Sequence, residues 1–399
     1  MPVTAQPPQL TQGFRDLIAS GQPVGLAVSG GGDSVALLHL VAGLGGQISV
    51  ASVDHGLRPA SAAECAMVAD ICAAYKIPHQ VLRWSGWDRT GNLQDHARKA
   101  RYGLLADWAR STGIADIALG HTADDQAETV IMALARGAGV DGLAGMGGVT
   151  VKNGLRFHRP LLQVTRADLR RYLTNADHEW CDDPSNDDPT YERIRVRQAA
   201  GLLAGLGLTP EALGQVAQHM GAAAQALDRQ STDLAPFLLR QQGDMLINIA
   251  LADLSGEQSR RLVLAGMAWV NRTLTQPRRD EQARLMQALH KGGAATLGGC
   301  RFSFDGPVLR IAREFAAVRD HVTNTTHLWD GRWRVTGPHD PKLQLRALGA
   351  GIDRCPDWRN TGLPRASMQA TPAVWRDDQL ISAPLAGFGQ GWSAQIVAE

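Results

Sequence analysis

The sequence predicts an α/β first half built on a parallel sheet, then a mainly helical domain, then a small α+β or β-rich end. Residues 24–120 repeat one rhythm of short apolar run, turn and helix-length amphipathic stretch. A polar, turn-rich stretch, "DDPSNDDPTYERIRVR" (182–197), breaks that rhythm, and residues 319–399 read as short strands and turns. With 399 residues, 44% hydrophobic and 20% charged, the chain suits two or three globular domains. The boundaries expected are 1–205, 206–318 and 319–399.

The strands of the first domain are expected at "VGLAVS" (24–29), "QISVASVD" (47–54), "PHQVLRW" (78–84) and "IADIALG" (114–120). Helices fall between them, among them "DSVALLHLVAGL" and "LQDHARKARYGLLADWARSTG". Ser61 with Glu64 three residues on fits a capping box that opens a further helix. Strands alternating with helices imply a parallel sheet whose ligands sit at the strands' carboxyl ends. That rim gathers Ser29–Ser34, Asp54–Arg58 and Gly120–Glu128. Beyond residue 205 the pattern is helical to about 293, with Thr209 as a cap and "SGEQSRRLVLAGMAWVNRTL" as a long amphipathic helix. "ATLGGCRFSFDGPVLRIA" (295–312) reads as a hairpin.

Bulk properties exclude some classes. A net charge of +1 leaves only a local patch for any nucleic acid. Five widely spaced cysteines without a C-x-x-C pair point to a reducing compartment, and support neither a zinc site nor a disulfide framework. The first twenty residues lack the charged start and apolar run of a secretory leader. No apolar run reaches the ~18 residues of a membrane span. The expected location is the cytoplasm.

The chemistry begins at "SGGGDS" (29–34). Gly30, Gly31 and Gly32 let the backbone approach an anion, the following helix start supplies N–H groups, and Ser29 and Ser34 add hydroxyls. Asp33 cannot bind phosphate directly, but it can hold Mg²⁺, which bridges to polyphosphate. The alternative for this loop alone is a glycine turn without a ligand. In "LGHTADDQAETVIMALARGAG" (119–139), a helix from Thr122 puts His121, Asp125 and Glu128 on one face. Asp124 reads as a helix-dipole preference. On that rim, those carboxylates can recruit Mg²⁺ or grip an amine, and His121 can orient or accept a proton. "GNLQDHARKARYGLL" (91–105) offers Arg98 and Arg101, with Asn92 and Gln94 at its start; Lys99 fits a solvated face.

S-G-G-x-D-S between strand and helix resembles the pyrophosphate loop of the N-type ATP pyrophosphatases, with an adenine-nucleotide α-hydrolase-like sheet. Seven motifs in order make the resemblance specific: "SGGGDS", "VDHGLR" (53–58), "NLQDHARKARY" (92–102), "GHTADDQAET" (120–129), "RGAGVDGLAGM" (136–146), "RPLL" (159–162) and 182–197. Together they are similar to the tRNA(Ile)-lysidine synthetases. Where that family usually has Asn in R-N-x-I-R, this chain reads Arg193-Ile194-Arg195. The resemblance implies ATP and Mg²⁺, free L-lysine, and a tRNA(Ile) with a CAU anticodon whose wobble cytidine is adenylated and then joined to lysine. A homodimer is an allowed assembly. It assigns Ser29–Ser34, Asp54, His55 and Arg98 to the nucleotide, with Asp33 for magnesium. Asp125, Glu128 and His121 go to lysine and the reacting centre, which carboxylate does which being left open.

For tRNA, Arg193, Arg195 and Arg197 alternate, so they are expected on one side of an extended segment. Arg260, Arg261, Arg272, Arg278 and Arg279 cluster in the helical domain. The late tryptophans (Trp329, Trp333, Trp358, Trp375, Trp392) suit packing better than base stacking. One rival is a sulfur-transfer enzyme with the same loop, which needs a cysteine at the rim: Cys65 and Cys72 read as core and Cys181 is solitary. The other is a nucleotide-binding module without chemistry, which would not need Asp33, Asp125 and Glu128 together.

Overall fold

The computed structural model describes residues 7–56, 60–84, 93–181, 190, 192–272 and 277–397. Of the sequence expectations, Arg58, Asn92, the Gln94 side chain, and residues 182–189 and 191 lie outside the described residues. The chain divides into two compact units, Met1–Ala224 and Gln225–Glu399.

The first unit opens with α1 (Gln12–Ala19), then β1 (Val24–Ala27), α2 (Gly32–Ala42), β2 (Ile48–Asp54), α3 (Ala60–Ala74) and β3 (His79–Arg83). It continues through α4 (Leu93–Thr112), β4 (Asp116–Leu119), α5 (Ala123–Ala135), α6 (Val140–Leu143), β5 (Val149–Lys152) and β6 (Leu155–His158). Then come α7 (Arg166–Asn175), α8 (Glu192–Gln198), α9 (Ala200–Gly205) and α10 (Pro210–Asp233), whose last nine residues are counted with the second unit. All four expected strands form, in a six-stranded sheet ordered β3-β2-β1-β4-β6-β5. Every pairing in it is parallel except that of β5 with β6. β1 and β4 pair with Ala27 beside Leu119, and both strands are wholly buried, as central strands of a two-faced sheet must be.

Strand order reverses direction between β1 and β4, and ligands in such sheets collect at that crevice. The glycine loop follows β1 and the acidic helix follows β4, so both stand at the crevice. One apolar cluster, with Leu26, Val35, Leu38, Leu169 and Leu173, packs α2 and α7 on the sheet. A second, with Leu105, Trp108, Ile117 and Phe157, packs α4 on it.

Ser61 is a correction. The helix already starts at Ala60, so Ser61 lies in its first turn, and its hydroxyl donates to Asp54 Oδ1 (2.7 Å) instead of capping. Thr209 does cap α10, accepting from the Ala212 N–H (3.3 Å).

The second unit carries α11 (Gly256–Asn271), capped by Ser255, and α12 (Arg279–His290). Residues 238–247, read as helical, instead form β7 (Leu238–Gln241) and β8 (Asp244–Ile247). The Gln242-Gly243 turn between them has positive φ at both residues, which a helix cannot continue through. The expected hairpin is a three-stranded meander of β9 (Ala295–Leu297), β10 (Cys300–Asp305) and β11 (Val308–Arg313), completing the sheet β7-β8-β11-β10-β9. After it, short antiparallel strands surround buried Trp329, Trp333 and Trp358. No helix among the described residues is long and apolar enough to cross a membrane.

Phe157 is fully buried beneath α4. Phe157→Ala is expected to cost about 3–5 kcal/mol, seen as an earlier first transition in urea unfolding followed by circular dichroism.

Candidate active site

A cavity of about 850 Å³ opens at the carboxyl ends of β1 and β4, walled by Ser29, Gly31, Asp33, His121, Asp125 and Arg166 among others. Its floor is the glycine loop. Gly30 takes φ +90°, where an L side chain is strained, and Gly31 caps α2 from extended backbone. The serines close the loop on itself: the Ser29 N–H donates to Ser34 Oγ (3.1 Å), and the Ser34 hydroxyl donates to Gly31 O (2.9 Å). Cys181 N–H donates to Gly30 O (3.0 Å), and Trp180 lies beside the loop, its Cδ1 3.3 Å from where a Cβ on Gly32 would stand. The first turn of α2 thus presents N–H groups without intrahelical acceptors to the cavity, an anion cradle.

Gly120 sets the distance between loop and acidic helix. A Cβ there would meet Ser34 Cα at 3.0 Å and Asp33 C and O at 3.1 Å. Two residues on, Thr122 caps α5 instead of opening it, so His121 precedes the helix and does not share its face with Asp125 and Glu128. The Thr122 N–H (2.9 Å) and hydroxyl (3.1 Å) donate to Asp125 Oδ2, and the Asp125 N–H donates back to Thr122 Oγ1 (3.3 Å).

Asp33, Asp125 and Glu128 do converge, and Arg166, absent from the sequence reading, joins them. Its Nε donates to Asp33 Oδ2 (3.1 Å) and its Nη2 to Asp125 Oδ1 (3.2 Å), with Nη1 3.7 Å from Glu128 Oε1. Asp124 fixes that arginine by accepting its backbone N–H (2.7 Å), beyond the dipole role expected for it. The available signal was Thr165-x-x-Asp168, which caps α7 and makes Arg166 its first residue.

Arg193, Arg195 and Arg197 do not share one side of an extended segment. They lie on helix α8, where a spacing of four keeps Arg193 and Arg197 together and turns Arg195 away. Arg193 donates to Glu128 Oε2 (2.5 Å) and Asp125 Oδ1 (3.1 Å), Arg197 to Glu128 Oε1 (2.9 Å), and exposed Arg195 to Thr190 O (3.0 Å).

Burial lifts the Asp33 carboxyl above its ordinary pKa against the pull of Arg166, and the Asp125 and Asp124 charges add to the rise. Asp125 is buried too, but Arg193, Arg166 and the Thr122 N–H outweigh desolvation and hold it below the usual carboxylate range. Burial pushes His121 down to about 4, with Arg159, Arg101 and Arg193 adding to the fall, so it is neutral at pH 7. Its buried Nδ1 has no hydrogen-bond partner among the described residues.

Other expected residues have different surroundings. Asp54 is not on the cavity wall; it accepts from Gly56 N–H (2.9 Å) and Ser61 Oγ (2.7 Å) and so braces the β2–α3 turn. His55 lines the cavity with its ring edge-on to Trp84 at 5.8 Å. Arg98 is exposed, 5.6 Å from the Tyr102 ring, and borders a smaller pocket of about 190 Å³ shared with His55, Arg101 and His121. Arg101 lines both spaces. Arg278 and Arg279 are exposed at the start of α12. Cys65 and Cys72 are core residues, whereas Cys181 reaches the cavity wall.

Residues 5–201 match the family model described as the PP-loop domain. The tRNA(Ile)-lysidine synthase of Ruegeria pomeroyi is 45% identical over 97% of this chain and 96% of its own length. The chain belongs to the tRNA(Ile)-lysidine synthase family. Family members from Rhodopseudomonas palustris (42% identity; 53% of this chain, 63% of theirs) and a Bradyrhizobium strain (33%; 72% and 87%) also match. The matched stretch contains the Ser29–Ser34 cradle.

A neutral His121 has a sign that can be tested. Between pH 6.5 and about 4 the unfolded chain binds a proton here that the folded one refuses, so stability falls as pH drops through that window. His121→Gln should flatten the fall by up to about 1.4 kcal/mol per pH unit, measured by urea titration at a series of pH values.

Proposed function

We propose that this chain joins the ε-amine of free L-lysine to C2 of the wobble cytidine of a tRNA(Ile) with a CAU anticodon, through an adenylated cytidine. The activity itself is that of the family, ATP-dependent tRNA(Ile)-lysidine synthase activity, with ATP bound at the PP-loop. The observation that carries the detailed reading is the meeting of Asp33 and Asp125 on the cavity wall beside the phosphate cradle, joined by Arg166, with Glu128 behind them.

Cytosine O2 attacks the α-phosphorus of ATP and pyrophosphate leaves into the cradle of Ser29–Ser34. The lysine amine then attacks C2, the C2–O2 bond breaks, and AMP leaves with that oxygen. Asp125 reaches the cavity and stays ionised, so it grips the incoming ammonium; Glu128 sits behind it and anchors Arg193 and Arg197. His121 enters neutral with a lone pair to offer, and polyphosphate charge beside it raises its proton affinity toward what amine deprotonation needs.

The donor set suits magnesium. Asp33 supplies one hard oxygen at the mouth of the cradle, and no group of three or more His, Cys, Asp or Glu among the described residues makes an all-protein cage. Mg²⁺ is usually held by one or two carboxylates plus phosphates. When bound, it neutralises charge on the departing pyrophosphate. For tRNA, the exposed Arg278, Arg279 and Arg195 are assigned to phosphates, and Arg193 and Arg197 to the wall against which the anticodon docks. The residues after 205 are assigned to tRNA recognition, with 206–318 and 319–399 as separate parts.

Labelled lysine should enter isoleucine tRNA with a CAU anticodon, and not the methionine tRNA with the same anticodon, when ATP and Mg²⁺ are supplied. Label in neither, or equally in both, would sink this reading. Asp125→Asn should lower the rate by about 10²-fold or more while ATP binding by calorimetry persists. Arg278→Ala with Arg279→Ala should weaken tRNA binding and reduce its log–log salt slope by about 2, with nucleotide affinity unchanged.

A further inference from the structure

Arg166 is the first residue of α7, where the helix dipole disfavours a cation. Helix stability does not account for it. The chain from Leu161 to Arg166 is nonetheless tied to α5 and its cap at three points: Ala123 N–H donates to Val164 O (2.9 Å), Arg166 N–H donates to Asp124 Oδ2 (2.7 Å), and Thr122 bridges to Leu161. Leu169 and Leu173, both fully buried, hold the rest of α7 against α2. The guanidinium is therefore delivered to a fixed point between two groups of carboxylates. Nε takes Asp33, at the phosphate cradle; the Nη atoms take Asp125 and lie near Glu128, on the acidic helix.

We propose that Arg166 is a positioning residue that couples nucleotide binding to amine binding. The inference rests on the assignment of Asp33 to magnesium-bound phosphate and of Asp125 to the lysine amine. Without nucleotide, one planar cation satisfies both sides and occupies the place an ammonium must take beside Asp125. When magnesium and polyphosphate engage Asp33, that side of the fork loses its partner and gains phosphate oxygens, which a guanidinium binds in the same forked geometry. The arginine shifts toward the phosphates and Asp125 is uncovered. Lysine then binds a carboxylate already ionised, held by the Thr122 cap and Arg193. Nucleotide binding thereby precedes productive amine binding, and by linkage lysine strengthens nucleotide binding by the same factor.

The test is lysine affinity by calorimetry on the full chain, with and without Mg²⁺ and an ATP analogue that cannot be cleaved between the α- and β-phosphates. Wild type should bind lysine at least about fivefold tighter with the analogue present, within the ordinary range of coupling between sites. Arg166→Gln should bind lysine without the analogue more tightly than wild type does, and the analogue should change its affinity by less than about twofold. Arg166→Lys, which keeps the charge but not the fork, should restore part of the coupling; matching thermal melts would show that both variants fold. Wild-type coupling retained in Arg166→Gln, or absent from wild type, overturns the proposal. Analogue binding with no lysine binding in any form overturns the assignment of Asp125 to the amine, and the coupling with it.

Discussion

The site depends on how closely two neighbouring strands let their exits approach. β1 and β4 lie side by side in register, and each ends in a turn that enters a helix over the same crevice. Gly120 leaves that crevice narrow, because any Cβ there would press on the backbone of Asp33 and Ser34. The start of α2 can thus stand beside the start of α5, and side chains far apart in sequence share one guanidinium. A wider junction would leave a phosphate cradle and an acidic helix with nothing joining them.

Close approach also creates an electrostatic difficulty, met with arginines. Asp33, Asp124, Asp125 and Glu128 would repel one another in a partly buried wall, and Asp33 does feel both neighbouring aspartates. Arg166, Arg193 and Arg197 offset that repulsion from two different helices. The balance is uneven: Asp125 is held firmly ionised while Asp33 is left less comfortable with its charge. A carboxylate in that condition gains most from a further cation, consistent with its place at the mouth of a phosphate loop.

Much of this was legible in the sequence because the signals were local. Four apolar runs became four strands, the stretch after Gly120 became the helix that carries Asp125 and Glu128, and Cys65 and Cys72 went to the core. Trp329, Trp333 and Trp358 are likewise buried, so packing uses most of what could have stacked on bases. What was not legible depended on partners distant in the chain. Arg166 looks like any surface residue until Asp33, over a hundred positions earlier, is brought to it by the sheet. The arginines at 193, 195 and 197 were misread in period: alternation suggested a strand, and a helix instead sends two of them to Glu128. Ser61 mimicked a cap because Glu64 has the right spacing, yet the helix begins a residue earlier and the hydroxyl turns to Asp54.

The indole of Trp180 rests against Gly32, in the wall of the phosphate cradle. Tryptophan emission shifts in colour and intensity with the polarity and charge around the ring. The molecule therefore carries its own optical probe at the cradle. A chain in which Trp180 is the tryptophan changed to Phe would lose the part of the ultraviolet signal that reports on this loop. Rapid-mixing fluorescence could then follow occupation of the loop in real time, without a dye.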